Sequence, residues 1–118
     1  MVQLECISAV TLLTADMGRA VRFYESLGFR RRYGGPDAAF TSFHVGPGYL
    51  NLMPGEPAER LWGRVILYVS DVDEMYRQAL TAGWRPAAEP ADAPWGERYF
   101  HLQDPDGNEL SFARPLTD

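Results

Sequence analysis

The sequence repeats itself once, at an offset of 55 positions, and this repeat limits how the chain can fold more than any other feature. The segment 10–17 aligns with 65–72, so that a valine, a leucine and an aspartate coincide. Further matches are Arg22 with Arg77, Gly28 with Gly83, Phe29 with Trp84, Arg30 with Arg85 and Phe40 with Trp95. Because two copies are too few for a solenoid, the repeat predicts two equivalent modules packed together, with a ligand site in the groove between them.

Length and composition favour one globular domain. With 118 residues, 46% of them hydrophobic, we expect a single domain over 1–118, with module 1 at about 7–55 and module 2 at about 62–114. No apolar run approaches the roughly 18 residues of a membrane span, and no signal-peptide pattern is present. Because the lone Cys6 cannot form an internal disulfide, we expect a cytoplasmic protein.

The charge pattern excludes several classes of function. All eleven basic residues are arginines, and the formal net charge is −5. Without lysine there is neither Schiff-base chemistry nor a phosphate-loop lysine. The acidic balance argues against a nucleic-acid partner. It is mildly compatible with a cationic small ligand, while solubility is the simpler explanation.

Local patterns predict the same order of elements in each half. The first half reads as a strand at 7–14, a helix from the Asp16 cap to about Leu27, and strands at 29–33, 40–45 and 49–53. The second reads as a strand at 62–69, a helix opened by Asp71 and Glu74 and ended by Gly83, a short strand at Trp84, a loop at 86–94, and strands at 95–103 and 109–113. We therefore predict an α+β fold of two βαβββ modules, with curled mixed sheets around a ligand groove.

This order and two motifs identify a family resemblance. The Phe23-Tyr24…Leu27-Gly28-Phe29 segment and the turn 104–108, Asp-Pro-Asp-Gly-Asn, resemble the glyoxalase/bleomycin-resistance/dioxygenase (vicinal oxygen chelate) superfamily over nearly the whole chain. The segment 94–100 is similar to the bleomycin-resistance branch. The resemblance implies this fold and a homodimer, with the Met1–Glu5 arm reaching the partner. It leaves open lyases, epimerases, dioxygenases, thiol transferases and drug-binding proteins.

The resemblance also locates the four positions at which the enzymes of this superfamily hold a divalent metal. Here they carry Ala9, Asn51, Arg64 and Ser111. A methyl group and a permanent cation are not ligands, and the neutral amide and hydroxyl are weak ones. We therefore expect neither this metal site nor any other cofactor. One alternative is a set built from His44 and His101 with Glu97 or Glu109, whose spacing matches no ligand motif.

Phe40 and Trp95 are the leading ligand-binding candidates, because in the bleomycin-resistance branch the equivalent rings stack on the drug's planar tail. The other interpretation is that both rings are core. Strand alternation adds further candidates for the pocket face: Asn51, Arg64, Tyr68, Glu109 and Ser111. Arg64 either pairs with an acid such as Glu109 or anchors a ligand carboxylate or carbonyl. Arg30-Arg31-Arg32 is interpreted as a solvated face.

The sequence thus predicts metal-independent binding of a planar or cationic, antibiotic-like small molecule, with no nucleic-acid or membrane partner. The alternative is a lyase, isomerase or dioxygenase of the same superfamily with an unusual metal set or none.

Overall fold

The computed structural model describes residues 2–60 and 62–117, and it contains the two predicted βαβββ modules. The first consists of β1 (Ala9–Thr14), α1 (Met17–Ser26), β2 (Arg30–Tyr33), β3 (Thr41–Val45) and β4 (Gly48–Pro54). The second consists of β5 (Arg64–Tyr68), α2 (Val72–Thr81), β6 (Ala91–Asp92), β7 (Glu97–Gln103) and β8 (Glu109–Pro115). The predicted α+β architecture is confirmed.

Each module forms one four-stranded mixed sheet, and the two sheets have equivalent strand orders. The orders are β1-β4-β3-β2 and β5-β8-β7-β6. In each sheet the first strand runs parallel to the last, and the remaining pairs are antiparallel. As a result β1 and β5 are edge strands, and the two sheets are not closed into one.

The two helices begin at the predicted caps. Carboxylate oxygens of Asp16 and Asp71 accept hydrogen bonds from the backbone N–H groups of Arg19 and Glu74, at 3.1 and 3.0 Å. Each helix packs its apolar stripe on its sheet, and one buried cluster spans both modules: its largest members include Phe23, Tyr24, Phe43, Phe100 and Phe112. Helices α1 and α2 have ten residues each. In the described part of the chain, no helix is long and apolar enough to cross a membrane.

The short strand predicted at Trp84 is wrong: the second strand of module 2 is β6, inside the segment predicted as a loop. Trp84 instead packs against Phe23 of α1, with ring centroids 4.8 Å apart, and its indole N–H donates a 2.8 Å hydrogen bond to Ser26 Oγ. Trp84 is therefore engaged in a contact between modules and not in pairing with β7. Pairing with β7 starts only at Ala91, opposite Tyr99.

Candidate ligand-binding site

The side chains that point away from the helices form an outer face on each sheet. In β5, Leu67 is buried on the helix side, whereas Arg64, Ile66 and Tyr68 are exposed on the other. Because side chains alternate along a strand, this confirms the predicted phase of β5. The alternation of side chains along β5 therefore places Arg64 and Tyr68 on the outer face of module 2.

Glu97 connects two of the predicted site residues on this face. Trp95 lies in the turn before β7, and its indole N–H donates a 2.9 Å hydrogen bond to Glu97 Oε1. The Tyr68 hydroxyl donates to the other carboxylate oxygen of Glu97. This hydrogen bond is the main reason that the pKa of Tyr68 is raised, because it favours the protonated hydroxyl. Trp95 and Tyr68 are nevertheless 68% and 61% exposed, so their rings are held in place while their faces stay open.

Trp95 also begins a line of rings along β7, which we call the aromatic row: Trp95, Tyr99 and His101. Ring centroids are 5.7 Å apart between Trp95 and Tyr99, with planes tilted by 30°, and 5.0 Å apart between Tyr99 and His101. Tyr99 and His101 are alternate residues of one strand, so they share a face with Glu97. The rings of the aromatic row and the carboxylate of Glu97 therefore lie next to each other on this face.

At the far end of the aromatic row, Arg64 forms an ion pair with Glu109. Arg64 Nη2 and Nε lie 2.5 and 2.6 Å from Glu109 Oε2, and the two residues are directly opposite in the parallel register of β5 and β8. Of the two roles considered for Arg64, the structure therefore shows the acid partner. His101 lies beside this pair, opposite Ser111 in the register, and Ser111 is buried.

The environment of His101 disfavours its charged form. Partial burial lowers the pKa of His101, the positive charge of Arg64 lowers it further, and Glu109 acts in the opposite direction. The Nδ1 atom of His101 is buried and has no hydrogen-bond partner. His101 thus offers a neutral ring with an unused polar atom next to a charged pair.

The predicted residues of module 1 lie on the other sheet. Phe40 is 36% exposed just before β3, and its ring contacts Tyr33 with centroids 6.3 Å apart. The amide nitrogen of Asn51 donates a 3.3 Å hydrogen bond to Thr11 Oγ1. The amide oxygen of Asn51 is buried without a partner. Module 1 therefore contributes a separate, smaller set of candidate contacts.

The two sets of predicted site residues make no direct contact with each other in the described part of the chain. Within residues 2–60 and 62–117, no hydrogen bond, ion pair or ring contact joins Phe40 or Asn51 to the outer face of module 2. Phe40 and Trp95 are equivalent in the repeat, yet each contacts rings of its own sheet. Sequence reasoning considered Glu97 only for the alternative metal set and did not select Tyr99 as a candidate, although both alternate with His101 along β7 and share its face.

The residues at the four expected metal positions do not fit a divalent cation. Ala9 and Arg64 line the same cleft, and the guanidinium of Arg64 is already paired with Glu109. His44 contacts the ring of Tyr49 and not that of His101. In the part of the chain that the structure describes, no group of three or more His, Cys, Asp or Glu side chains is placed to hold an ion.

Comparisons with known proteins agree with this architecture. The chain is 26% identical to TioX from Micromonospora sp. ML1 (TM-score 0.78; 95% of this chain and 100% of that one). It is also 26% identical to a bleomycin-binding protein whose structure contains bleomycin (TM-score 0.75; 94% and 98%). At 20% identity, lactoylglutathione lyase from Agrobacterium tumefaciens shares the fold (TM-score 0.73; 94% and 94%). No curated protein matches the chain in sequence.

The family model covers almost the whole of both modules. Residues 7–112 match the model of the Glyoxalase/Bleomycin resistance protein/Dioxygenase superfamily. The match runs from just before β1 into β8, so it includes every strand of both outer faces. The chain therefore belongs to the glyoxalase/bleomycin resistance protein/dioxygenase superfamily.

Proposed function

We propose that this protein binds a planar small molecule of cationic character on the outer face of module 2, without a metal ion. One observation carries the proposal: Trp95 and Tyr68 are held by the same carboxylate, Glu97, and yet expose most of their surface. A core tryptophan would bury this surface, and a merely exposed one would lack the hydrogen bond that fixes its orientation. The rings of Trp95 and Tyr99 then supply stacking surface, and Glu97 supplies negative charge.

The energies of these contacts suit a binding protein. Stacking on an aromatic side chain contributes about 1–3 kcal/mol per ring in nucleobase complexes, the closest measured analogue. A cation placed over an exposed aromatic face contributes about 0.5–1 kcal/mol more to the binding free energy. The net charge of −5 favours the approach of a positively charged ligand. The likeness to a bleomycin-binding protein makes bleomycin the first probe to use.

Tryptophan fluorescence gives a direct test, because Trp95 is one of only three tryptophans. We expect bleomycin, or another planar cation from a thermal-shift panel, to quench the emission of the wild-type protein in a saturable manner. Trp95→Ala should weaken binding at least tenfold by calorimetry. Trp62→Phe, which changes another exposed tryptophan, is the matched control and should bind normally. If Trp95→Ala binds every ligand of the panel as well as the wild type does, the proposal is wrong.

Metal content separates this proposal from the enzymatic alternative. We expect protein incubated with Zn²⁺, Ni²⁺, Mn²⁺ or Fe²⁺ and then desalted to retain less than stoichiometric metal, because Ala9, Asn51, Arg64 and Ser111 offer no strong ligand set. Ligand binding should be the same after treatment with a chelator. One tightly held ion per chain would favour a lyase, isomerase or dioxygenase with an atypical site.

We further propose that the protein works as a homodimer, in which the partner supplies the second wall that the Trp95 face lacks within one chain. The predicted arm 1–5 includes Val2 and Leu4, which are almost fully exposed, while residue 1 lies outside the described part. Burial of such side chains is a source of association energy. Light scattering at micromolar concentration should give twice the mass of 13.3 kDa, and deletion of residues 2–5 should shift the protein toward monomer.

A further inference from the structure

The arginine run at 30–32 does not behave as one solvated stretch, because strand alternation places Arg31 on the helix side of the first sheet and Arg30 on the outer side. Arg30 lies opposite His44, and Arg31 lies opposite the buried Phe43. The register then shifts, so that Tyr33 and not Arg32 opposes the next residue of β3. An extra residue of this kind redirects side chains and is often found beside functional sites.

The side chains of Arg31 and Arg32 lie on opposite faces of the sheet and have different partners. On the helix side, Arg31 makes two hydrogen bonds to Glu25 of α1, at 2.9 and 2.8 Å. On the outer side, the guanidinium of Arg32 lies 4.3 Å from the ring centroid of Tyr49, and the ring of His44 is 5.9 Å from the same ring. We call Arg30, Arg32, His44 and Tyr49 the Arg32 cluster.

The Arg32 cluster holds positive charge without an acidic partner. Among the ion pairs and hydrogen bonds of the described residues, none joins Arg30, Arg32 or His44 to a carboxylate. Arg30 and Arg32 thus place two positive charges on the same face of β2, two positions apart, in a chain whose formal net charge is −5. Stacking on Tyr49 orients the Arg32 guanidinium while leaving its N–H groups available, which is how arginine recognises carboxylate, sulfonate and phosphate groups.

A cleft adjoins this cluster. Tyr49 also lines an open cleft of about 520 Å³ between the edges of the two sheets. This volume is within the range of small-molecule sites. Most of the lining is apolar, and its members beside Tyr49 include Ile7, Val45, Trp62 and Ile66.

From these features we propose a second binding site, for a small amphipathic organic anion. Its apolar or aromatic body would occupy the cleft between the sheets, and its anionic group would lie on Arg30, Arg32 and His44. The cleft reaches module 2 at Arg64 and Ile66, but none of the three rings of the aromatic row lines it. The Arg32 cluster is also opposite in charge to Glu97, so the second site goes beyond the proposed binding of a planar cation.

Two fluorescent probes with the same hydrophobic body test this assignment. 8-Anilino-1-naphthalenesulfonate carries a sulfonate, and N-phenyl-1-naphthylamine is the same ring system without it. We expect the sulfonate probe to bind with one saturable site per chain. The variant Arg30→Gln/Arg32→Gln should weaken it roughly tenfold or more, because hydrogen bonds to a charged group are lost. The neutral probe should change less than twofold.

Arg31→Gln is the matched control, since it removes the same charge from the neighbouring position on the opposite face. It should bind both probes as the wild type does, as should Trp95→Ala, whose change lies in the other site. Equal effects of Arg31→Gln and the double variant, equal losses for both probes, or non-saturable binding would overturn the proposal. So would a dimer, detected by sedimentation, whose formation expels the sulfonate probe, because the occupant of the cleft would then be a second copy.

Discussion

The Tyr24 hydroxyl donates a 2.7 Å hydrogen bond to Asp104 Oδ2, and both groups are buried where helix α1 of module 1 meets the β7–β8 turn of module 2. Asp104 also accepts hydrogen bonds from the backbone N–H groups of Asp106 and Asn108 and from the Asn108 amide. In turn, Asn108 donates to the carbonyl of Leu13 in β1. The turn motif that carries the family resemblance is therefore also a structural connection between the two modules.

Loss of the Tyr24 hydroxyl should destabilise the whole domain. In Tyr24→Phe, the buried Asp104 carboxylate loses one of its donors, and an unsatisfied buried group costs about 1–3 kcal/mol. We expect the free energy of unfolding in urea to fall by this amount in a single transition. Tyr76→Phe is the control, because Tyr76 is a half-buried ring on α2 that packs against Phe100 and whose hydroxyl takes part in none of the hydrogen bonds of the described chain. A loss as large in Tyr76→Phe would contradict this explanation.

The stability that Asp104 provides should depend on pH. Burial raises the pKa of Asp104, and its hydrogen bonds from Tyr24 and Asn108 only partly oppose this effect. A carboxyl with a raised pKa in the folded state binds its proton more tightly there, so its contribution is fully present below the ordinary carboxyl pKa of about 3.9 and is lost as the pH rises through the raised value.

Urea unfolding at pH 4, 5.5 and 7 measures this dependence. The difference in unfolding free energy between the wild type and Asp104→Asn should be largest at pH 4 and should shrink toward pH 7. Asp37→Asn, at an exposed position, controls for the general effect of removing one carboxyl group. A difference that grows with pH would show that the hydrogen bonds outweigh burial.

The sequence was sufficient for those features that depend on local chemistry. The caps at Asp16 and Asp71 and the helical stripes follow from positions within one or two turns. The outward phase of Arg64 and Tyr68 follows from the period of two in a strand. All of these were confirmed, as was the order of elements in both modules.

Features that depend on distant neighbours could not be predicted in the same way. Trp84 reads as a strand residue, but its contacts with Ser26 and Phe23 exist only once the modules are packed. Glu97 gains its role from Tyr68, which is 29 positions away. The bulge at Arg32 is invisible in the sequence because it is set by pairing between β2 and β3.

The backbone at Gly34 should tolerate no side chain, because it lies against the backbone of Phe40 and Thr41. Gly34 has φ of +84°, and an added Cβ would lie 2.1 Å from the carbonyl oxygen of Phe40 and 2.8 Å from Thr41 Cα. Gly46 also has positive φ, +53°, but an added Cβ there meets nothing within 4 Å. The free energy of unfolding of Gly46→Ala should therefore fall only by the cost of placing alanine in a left-handed backbone conformation, about 1–2 kcal/mol.

Gly34→Ala should cost clearly more than Gly46→Ala, because the backbone before β3 has to move as well. Urea unfolding gives the two free energies, and amide chemical shifts should change around Phe40 and Thr41 in Gly34→Ala alone. Equal costs, with shifts confined to the substituted residue in each variant, would show that the contact with Phe40 is relieved without consequence.

The two members of the ion pair beside the aromatic row, Arg64 and Glu109, should shift the pKa of His101 in opposite directions. Arg64 lowers the pKa of His101 and Glu109 raises it, in addition to the lowering caused by burial. Arg64→Met should therefore raise the pKa of His101, and Glu109→Gln should lower it further, because each variant removes one charge of known sign. The shifts are read by NMR titration of the His101 ring protons. Shifts of the same sign in both variants would mean that a change in the burial of His101, and not the two charges, controls its protonation.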